Sequence, residues 1–89
     1  MGRARASSAR RWFAANVRAY RYERGLSQGR LAEAAKISRG EVQKIESARV
    51  DVGLDIIARL ATALDVEIGA LFAKARMGSR PVGAPRKQG

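Results

Sequence analysis

The chain has 89 residues, which is enough for one small domain and too few for a two-domain enzyme. Eighteen Lys and Arg residues against eight Asp and Glu give a formal net charge of +10 at pH 7, and so large an excess favours a polyanionic partner, nucleic acid first. The absence of Cys and His excludes a disulfide framework, a zinc finger and catalysis by a thiol or an imidazole. We therefore expect a protein that is not an enzyme and binds no metal and no cofactor.

The charge is concentrated at the two ends of the chain. Residues 1–24 carry seven bases and one acid, residues 25–72 six bases and seven acids, and residues 73–89 five bases and no acid. This pattern predicts a flexible basic arm over residues 1–9, a packed domain over 10–73 and a disordered basic tail over 74–89. No segment approaches the roughly 18 apolar residues of a membrane span, so we expect a cytoplasmic protein with no membrane partner.

The spacing of apolar residues in the packed domain is helical throughout and predicts an all-α fold, a compact five-helix bundle. The first helix is predicted over residues 9–23, with Gly25 placed to end it. The fourth is predicted over residues 53–64, and a short fifth over residues 67–72. The core side chains expected from these helices include Phe13, Val17, Tyr20, Leu54, Ile57, Leu60, Ala61 and Leu64.

Two short helices joined by a tight turn are predicted within residues 28–47. Ser27 is suited to cap the first of them, and Ser38 and Glu41 have the S-x-x-E spacing of a capping box at the start of the second. The residues expected to pack where these helices cross are Ala32, Ala35, Ile37, Val42 and Ile45. This is the pattern of a helix-turn-helix, whose second helix can enter the major groove of DNA.

Further motifs extend the pattern to about residues 16–72. They are Arg-x-x-Arg-Gly-Leu-Ser-Gln from Arg21 to Gln28, Leu31-Ala32, Ile45-Glu46, and Leu60-Ala61-x-Ala-Leu-x-Val ending at Val66. Together they resemble the Cro and phage-repressor (XRE-type) family of helix-turn-helix regulators, and within it most resemble the small controller proteins of restriction-modification operons. The resemblance implies a five-helix DNA-binding domain, a homodimer on a near-palindromic operator and control of transcription.

The sequence departs from the family at two turns. Lys36 stands where the family usually has Gly between the second and third helices, and a non-Gly residue at a positive φ costs on the order of 1 kcal/mol. After Glu46 the chain has Ser47-Ala48 where the family usually has Gly, which leaves the end of the third helix open.

The resemblance also implies which residues bind DNA. The family presents base-reading side chains on the third helix, where this chain has Arg39, Gln43 and Lys44, and the Arg39 guanidinium matches O6 and N7 of guanine. A solvated helix surface is the alternative for all three. Glu41 is interpreted as a capping residue. Gly40 has no side chain, so it permits a close approach of the backbone to a base.

Contacts with the DNA backbone are expected from a second group of residues. Ser27 and Gln28 begin the second helix, where unpaired N–H groups and the helix dipole favour a phosphate, and in the family this glutamine clamps the DNA backbone. The other candidates for phosphate contacts are Lys36 and Arg49, and with them the N-terminal Arg3, Arg5, Arg10 and Arg11. Solvated surface charge is the default interpretation of these six residues. Arg21 and Glu46 stand where the family has a partly buried structural ion pair.

Val66, Ile68, Leu71 and Phe72 are more apolar than one short terminal helix requires. A domain of about 60 residues buries only about 60% of its unfolded surface, so covering this patch with a second copy would add stability. These four residues are therefore the predicted interface of a homodimer.

The leading hypothesis is a sequence-specific regulator of transcription that binds double-stranded DNA and holds or recruits RNA polymerase. One alternative is an antitoxin-like or other protein-interaction module that uses the C-terminal patch and binds DNA only secondarily. Another is non-specific nucleic-acid binding in which the basic ends supply most of the affinity.

Overall fold

The structure, a computed structural model, describes residues 6–74. They form four α-helices and a terminal 3₁₀ helix: α1 (Ala6–Glu23), α2 (Gln28–Ala35), α3 (Arg39–Glu46), α4 (Leu54–Leu64) and the 3₁₀ helix (Ile68–Phe72). No strand occurs among these residues, so the all-α prediction is confirmed. The prediction of five helices is wrong by one, because the last five-residue segment closes in the tighter 3₁₀ form that suits such short runs.

α1 begins at Ala6, three residues before the predicted start and inside the segment assigned to the basic arm. Gly25 takes a φ of 69° just after the helix, a conformation that glycine adopts without steric cost. The first five residues, with Arg3 and Arg5, lie outside the described part of the chain, as does the predicted tail beyond Lys74.

Serine side chains cap the starts of α2 and α3. Ser27 Oγ accepts the Arg30 N–H and Ser38 Oγ accepts the Glu41 N–H, each at 3.0 Å. Among the described residues, the Glu41 carboxylate makes no return bond to Ser38, so only half of the predicted capping box forms. These caps fix where both helices begin.

Among residues 6–74, three non-glycine residues at or just after helix ends have the left-handed conformation. Lys36 (φ 61°) ends α2, Ala48 (φ 62°) follows α3 and Asp65 (φ 60°) ends α4. The α2–α3 turn therefore has a glycine-like backbone despite its lysine. The Ile37 N–H donates to the Ala32 carbonyl at 3.0 Å, which closes the turn. Ala48 takes the same conformation at the second departure from the family pattern.

The core lies where α1, α2, α3 and α4 meet, with the 3₁₀ helix packed on α1. Its buried residues are Phe13, Val17, Leu31, Ala32, Ala35, Val42, Ile45, Ile57, Leu60, Ala61, Leu64 and Leu71. Leu54 was predicted to join them but is 84% exposed, because it is the first residue of α4 and faces solvent. Tyr20 and Ile37 pack against the core and are partly buried.

Side chains from α1 and from Arg24, the residue after it, fix the C-terminal segment by binding backbone carbonyls. The buried Asn16 donates through Nδ2 to the carbonyls of Leu71 at 3.1 Å and Ala73 at 2.7 Å. Arg24 Nε donates to the Leu64 carbonyl at 2.8 Å, at the end of α4. α1 therefore holds the second half of the domain against the helix-turn-helix.

Candidate nucleic-acid interface

The outward face of α3 carries all three residues predicted to read bases. Arg39, Gln43 and Lys44 are exposed, whereas Val42 and Ile45 face the core and are buried. Arg39 lies at the edge of the exposed face, about 60° from Val42. Among the described residues, no hydrogen bond or ion pair engages the side chains of Arg39, Gln43 or Lys44. Their donors and acceptors are therefore free to meet a ligand.

The start of α2 has a partly exposed glutamine that is hydrogen-bonded to the end of α3. Gln28 is half-buried, and its Nε2 donates to Glu46 Oε1 at 3.0 Å. Ser27 is exposed and caps the helix. The first turn of α2 contains no acid, so the partial positive charge at this helix end is not compensated within the helix.

Arg21 of α1 and Glu46 of α3 form a buried, bidentate ion pair. Arg21 Nε lies 2.7 Å from Glu46 Oε2, and the second guanidinium nitrogen, Nη2, lies 3.0 Å from Oε1. The hydrogen bond to Glu46 raises the pKa of Arg21 above its ordinary value, although burial acts in the opposite direction. The guanidinium thus stays charged at any pH at which DNA binding is measured. This pair fixes the end of α3 to α1.

The remaining predicted phosphate contacts that the structure describes lie on two loops and on α1. Lys36, at the α2–α3 turn, and Arg49, after α3, are both exposed. Arg10 instead pairs with Asp51 at 2.6 Å, which leaves it less available to DNA. Arg11 is exposed on α1.

Arg18 is a basic residue near this surface that the sequence reasoning missed. It is exposed on α1, and its Nη1 donates to the Glu46 carbonyl at 3.1 Å, at the end of α3. The contact spans 28 positions in sequence, and no local motif indicates it. Arg30 is a second such residue, exposed near the start of α2.

The helix-turn-helix and the segment that follows it differ in charge. Residues 28–49 contain five bases and three acids, one of which, Glu46, is buried in the ion pair. Residues 50–72 contain one base and four acids. Residues 6–27, with five bases and one acid, are more basic still. A polyanion is therefore favoured on α1 and the helix-turn-helix over the segment that follows them.

The C-terminal patch divides into exposed and buried members. Ile68 is 47% and Phe72 41% exposed, and Val66 is partly buried. The Phe72 ring also stacks on Phe13, with ring centroids 5.1 Å apart. Leu71 is fully buried, so its place in the predicted dimer interface is corrected: its side chain belongs to the core of its own chain.

Two features of other protein classes do not occur among residues 6–74. No helix in this range is long and apolar enough to cross a membrane. Within the same range, no three acidic side chains come together as a metal site would require.

Comparisons with known proteins agree with this geometry. A family model described as a helix-turn-helix domain matches residues 12–75. The crystal structure of the restriction-modification controller protein C.AhdI from Aeromonas hydrophila is 38% identical, with a TM-score of 0.69, over 71% of this chain and 96% of that one. None of the curated proteins matches the chain significantly.

Two further solved structures have the same fold. A hypothetical transcription factor, NHTF, from Neisseria is 30% identical, with a TM-score of 0.74, over 80% of this chain and 82% of that one. The clp gene regulator ClgR from Corynebacterium glutamicum is 26% identical, with a TM-score of 0.70, over 74% of this chain and 70% of that one. Because the family model spans well over half of the residues, the chain belongs to the Cro and phage-repressor (XRE-type) helix-turn-helix family and has the fold of its DNA-binding transcription regulators.

Proposed function

We propose that the protein is a sequence-specific regulator of transcription that acts as a homodimer on a near-palindromic operator. Helix α3 of each copy enters the major groove, in half-sites about 34 Å apart, which is one turn of the DNA. Occupancy of the operator then holds or recruits RNA polymerase. The similarity to a restriction-modification controller supports a regulator of this kind.

The observation that carries the proposal is the free outward face of α3. Arg39, Gln43 and Lys44 are exposed on one short helix and unbonded within the described domain, so all three can reach the same ligand. An arginine near the start of a helix in the major groove is well suited to bind O6 and N7 of one guanine.

Contacts of α2 and of the loops with phosphates position α3. Ser27 and Gln28 begin α2, and Lys36 and Arg49 lie at the two ends of the α3 segment. Phosphate contacts fix register and orientation but do not read sequence. Because Gln28 also binds Glu46, a phosphate held by this glutamine would be coupled directly to the end of α3.

The dimer is proposed to form through Ile68 and Phe72, with Val66 beside them. These side chains leave apolar surface in water that a second copy would cover. Replacing Ile68 with Asp should convert dimers to monomers in sedimentation equilibrium without unfolding the chain, since Ile68 is half-exposed. A dimer that survives Ile68→Asp would place the interface elsewhere.

The test of base reading is Arg39→Ala, measured on an operator selected from random DNA and on unselected DNA. We expect a loss of about 1–3 kcal/mol on the operator and little change on random sequence. The control is Lys74→Ala, which removes one positive charge from an exposed residue outside the helix-turn-helix. Equal losses on both DNAs would refute base reading by Arg39.

Removal of residues 75–89 separates this function from charge-driven binding. This segment carries four bases and no acid. A specific regulator keeps its ratio of operator to random affinity after the truncation, although both affinities fall and the salt dependence becomes shallower. Loss of nearly all affinity, with no sequence preference left, would favour non-specific binding instead.

A further inference from the structure

The centre of the outward face of α3 is a glycine. At 3.6 residues per turn, Gly40 points about 160° away from Val42 and about 140° away from Ile45, the two buried aliphatic residues of the helix. Gly40 is itself exposed, and the long side chains of Arg39 and Lys44 flank it. The surface that would face DNA therefore has a shallow depression between two cations.

The fold does not require glycine at this position. The residues with positive φ are elsewhere, and Gly40 has ordinary helical geometry. A Cβ added at Gly40 would meet only Ser38 Oγ, at 3.9 Å, which is ordinary van der Waals contact. Alanine is also the better helix former. Nothing within the described domain therefore accounts for the missing side chain.

The major groove offers one apolar group that fits such a depression. Each base pair presents hydrogen-bond donors and acceptors there, and thymine adds its C5-methyl group. A glycine Cα has no polar atom beyond its backbone, so it gains little from a base edge that needs a hydrogen bond. It can, however, let a methyl group come into contact with the helix backbone while Arg39 and Lys44 reach further on either side.

We propose that Gly40 is a specificity-determining residue that receives the C5-methyl group of a thymine in each operator half-site. The inference rests on the proposed function, since it requires α3 to lie in the major groove. It goes beyond that function by assigning one base to the face of α3 that has no side chain.

The experiment removes one methyl group from the DNA and, in a separate variant, adds one to the protein. In the selected operator, each thymine of one half-site is replaced in turn by deoxyuridine, which lacks only the methyl group. For the native chain, one position should lose about fourfold in affinity, the ratio that corresponds to one buried methyl group at about 0.8 kcal/mol. The remaining thymines should change less.

Gly40→Ala should reverse that preference. The alanine Cβ fills the depression, so the variant binds the thymine operator more weakly than the native chain does. Deoxyuridine at the same position should restore binding at least fourfold. Gly29→Ala is the matched control, because Gly29 is the second residue of α2 and a Cβ there also meets only a serine Oγ, Ser27, at 3.9 Å. That variant should keep the native preference for thymine.

Two results would overturn the proposal: no thymine whose methyl group matters to the native chain, or a Gly40→Ala variant that keeps the native preference at that thymine. Failure of the proposed function looks different. In that case the native chain binds selected and random DNA equally, whatever residue occupies position 40.

Discussion

Helices α2 and α3 begin with the same cap but differ in the charge of their first turn. Each has eight residues, each starts with a Ser-x-Gly sequence, and in each the serine accepts the third N–H at 3.0 Å. The third residue differs: it is Arg30 in α2 and Glu41 in α3. Glu41 offsets the positive end of the α3 dipole, whereas α2 has no acid in its first turn.

This difference predicts phosphate contacts for the start of α2 and base contacts for α3. An uncompensated helix start beside an arginine favours a phosphate, which carries no sequence information. A helix whose start is neutralised by its own carboxylate gains less from phosphate, and its outward side chains remain for the bases. The same local rules of capping therefore build two helices, and the residues that follow the caps distinguish their proposed contacts.

The largest expected effect comes from removing Glu46, the last residue of α3, whose carboxylate also binds Gln28 of α2. Glu46→Ala should lower the free energy of unfolding by about 3–5 kcal/mol, because Arg21 is left buried without a partner charge and Gln28 loses its acceptor. Urea unfolding followed by circular dichroism measures the loss.

Two controls define that effect. Replacing both partners, Arg21→Met with Glu46→Leu, should cost less than Glu46→Ala alone, since no unpaired charge remains buried. The exposed pair of Arg10 and Asp51 should contribute less than about 1 kcal/mol, so Arg10→Ala should have a small effect. A loss below 1 kcal/mol for Glu46→Ala would mean that the buried pair does not hold the helices together.

A smaller effect on stability is expected from removing either serine cap, at the start of α2 or of α3. Ser27→Ala and Ser38→Ala should each lower stability by about 1 kcal/mol, because both side chains make the same capping bond. In DNA binding at equal folded fraction, Ser27→Ala should change operator and random affinity together. Thermal unfolding and titrations at two salt concentrations measure these changes. Costs that differ by more than twofold would show that the surroundings, and not the caps, set the stability of the two starts.

The smallest effect concerns the end of α3, where alanine adopts a left-handed conformation. Ala48→Gly should stabilise the domain by less than about 1 kcal/mol, since relief of strain at φ 62° outweighs the greater freedom of glycine in the unfolded chain. Differential thermal unfolding measures the gain. A lower melting temperature in the variant would indicate that the Ala48 methyl group makes a packing contact worth more than the strain.

Local signals predict the helix-turn-helix closely. Ser27 and Ser38 mark the starts of α2 and α3, because capping depends on residues only a few positions apart. The left-handed Lys36 conserves the geometry of the turn without the expected glycine. Periodicity also identifies most of the core, but it misplaces Leu54, since one apolar residue at a helix start can face either solvent or the interior.

The parts that the sequence does not predict depend on long-range polar contacts. Asn16 binds carbonyls 55 and 57 positions away, and Arg18 binds the end of α3. Backbone carbonyls have no residue-specific pattern, so such partners cannot be found from sequence spacing. Leu71 was assigned to a dimer surface for a related reason: in an apolar run, periodicity does not tell a core residue from one at an interface.

Methylation interference shows whether Arg39 of α3 reads a guanine in the major groove. Operator DNA is methylated sparsely at guanine N7, and bound and free fragments are compared for the native chain and for Arg39→Ala. We expect one guanine in each half-site whose methylation blocks binding of the native chain and no longer affects binding of the variant. An interference pattern that is the same for both proteins would contradict it.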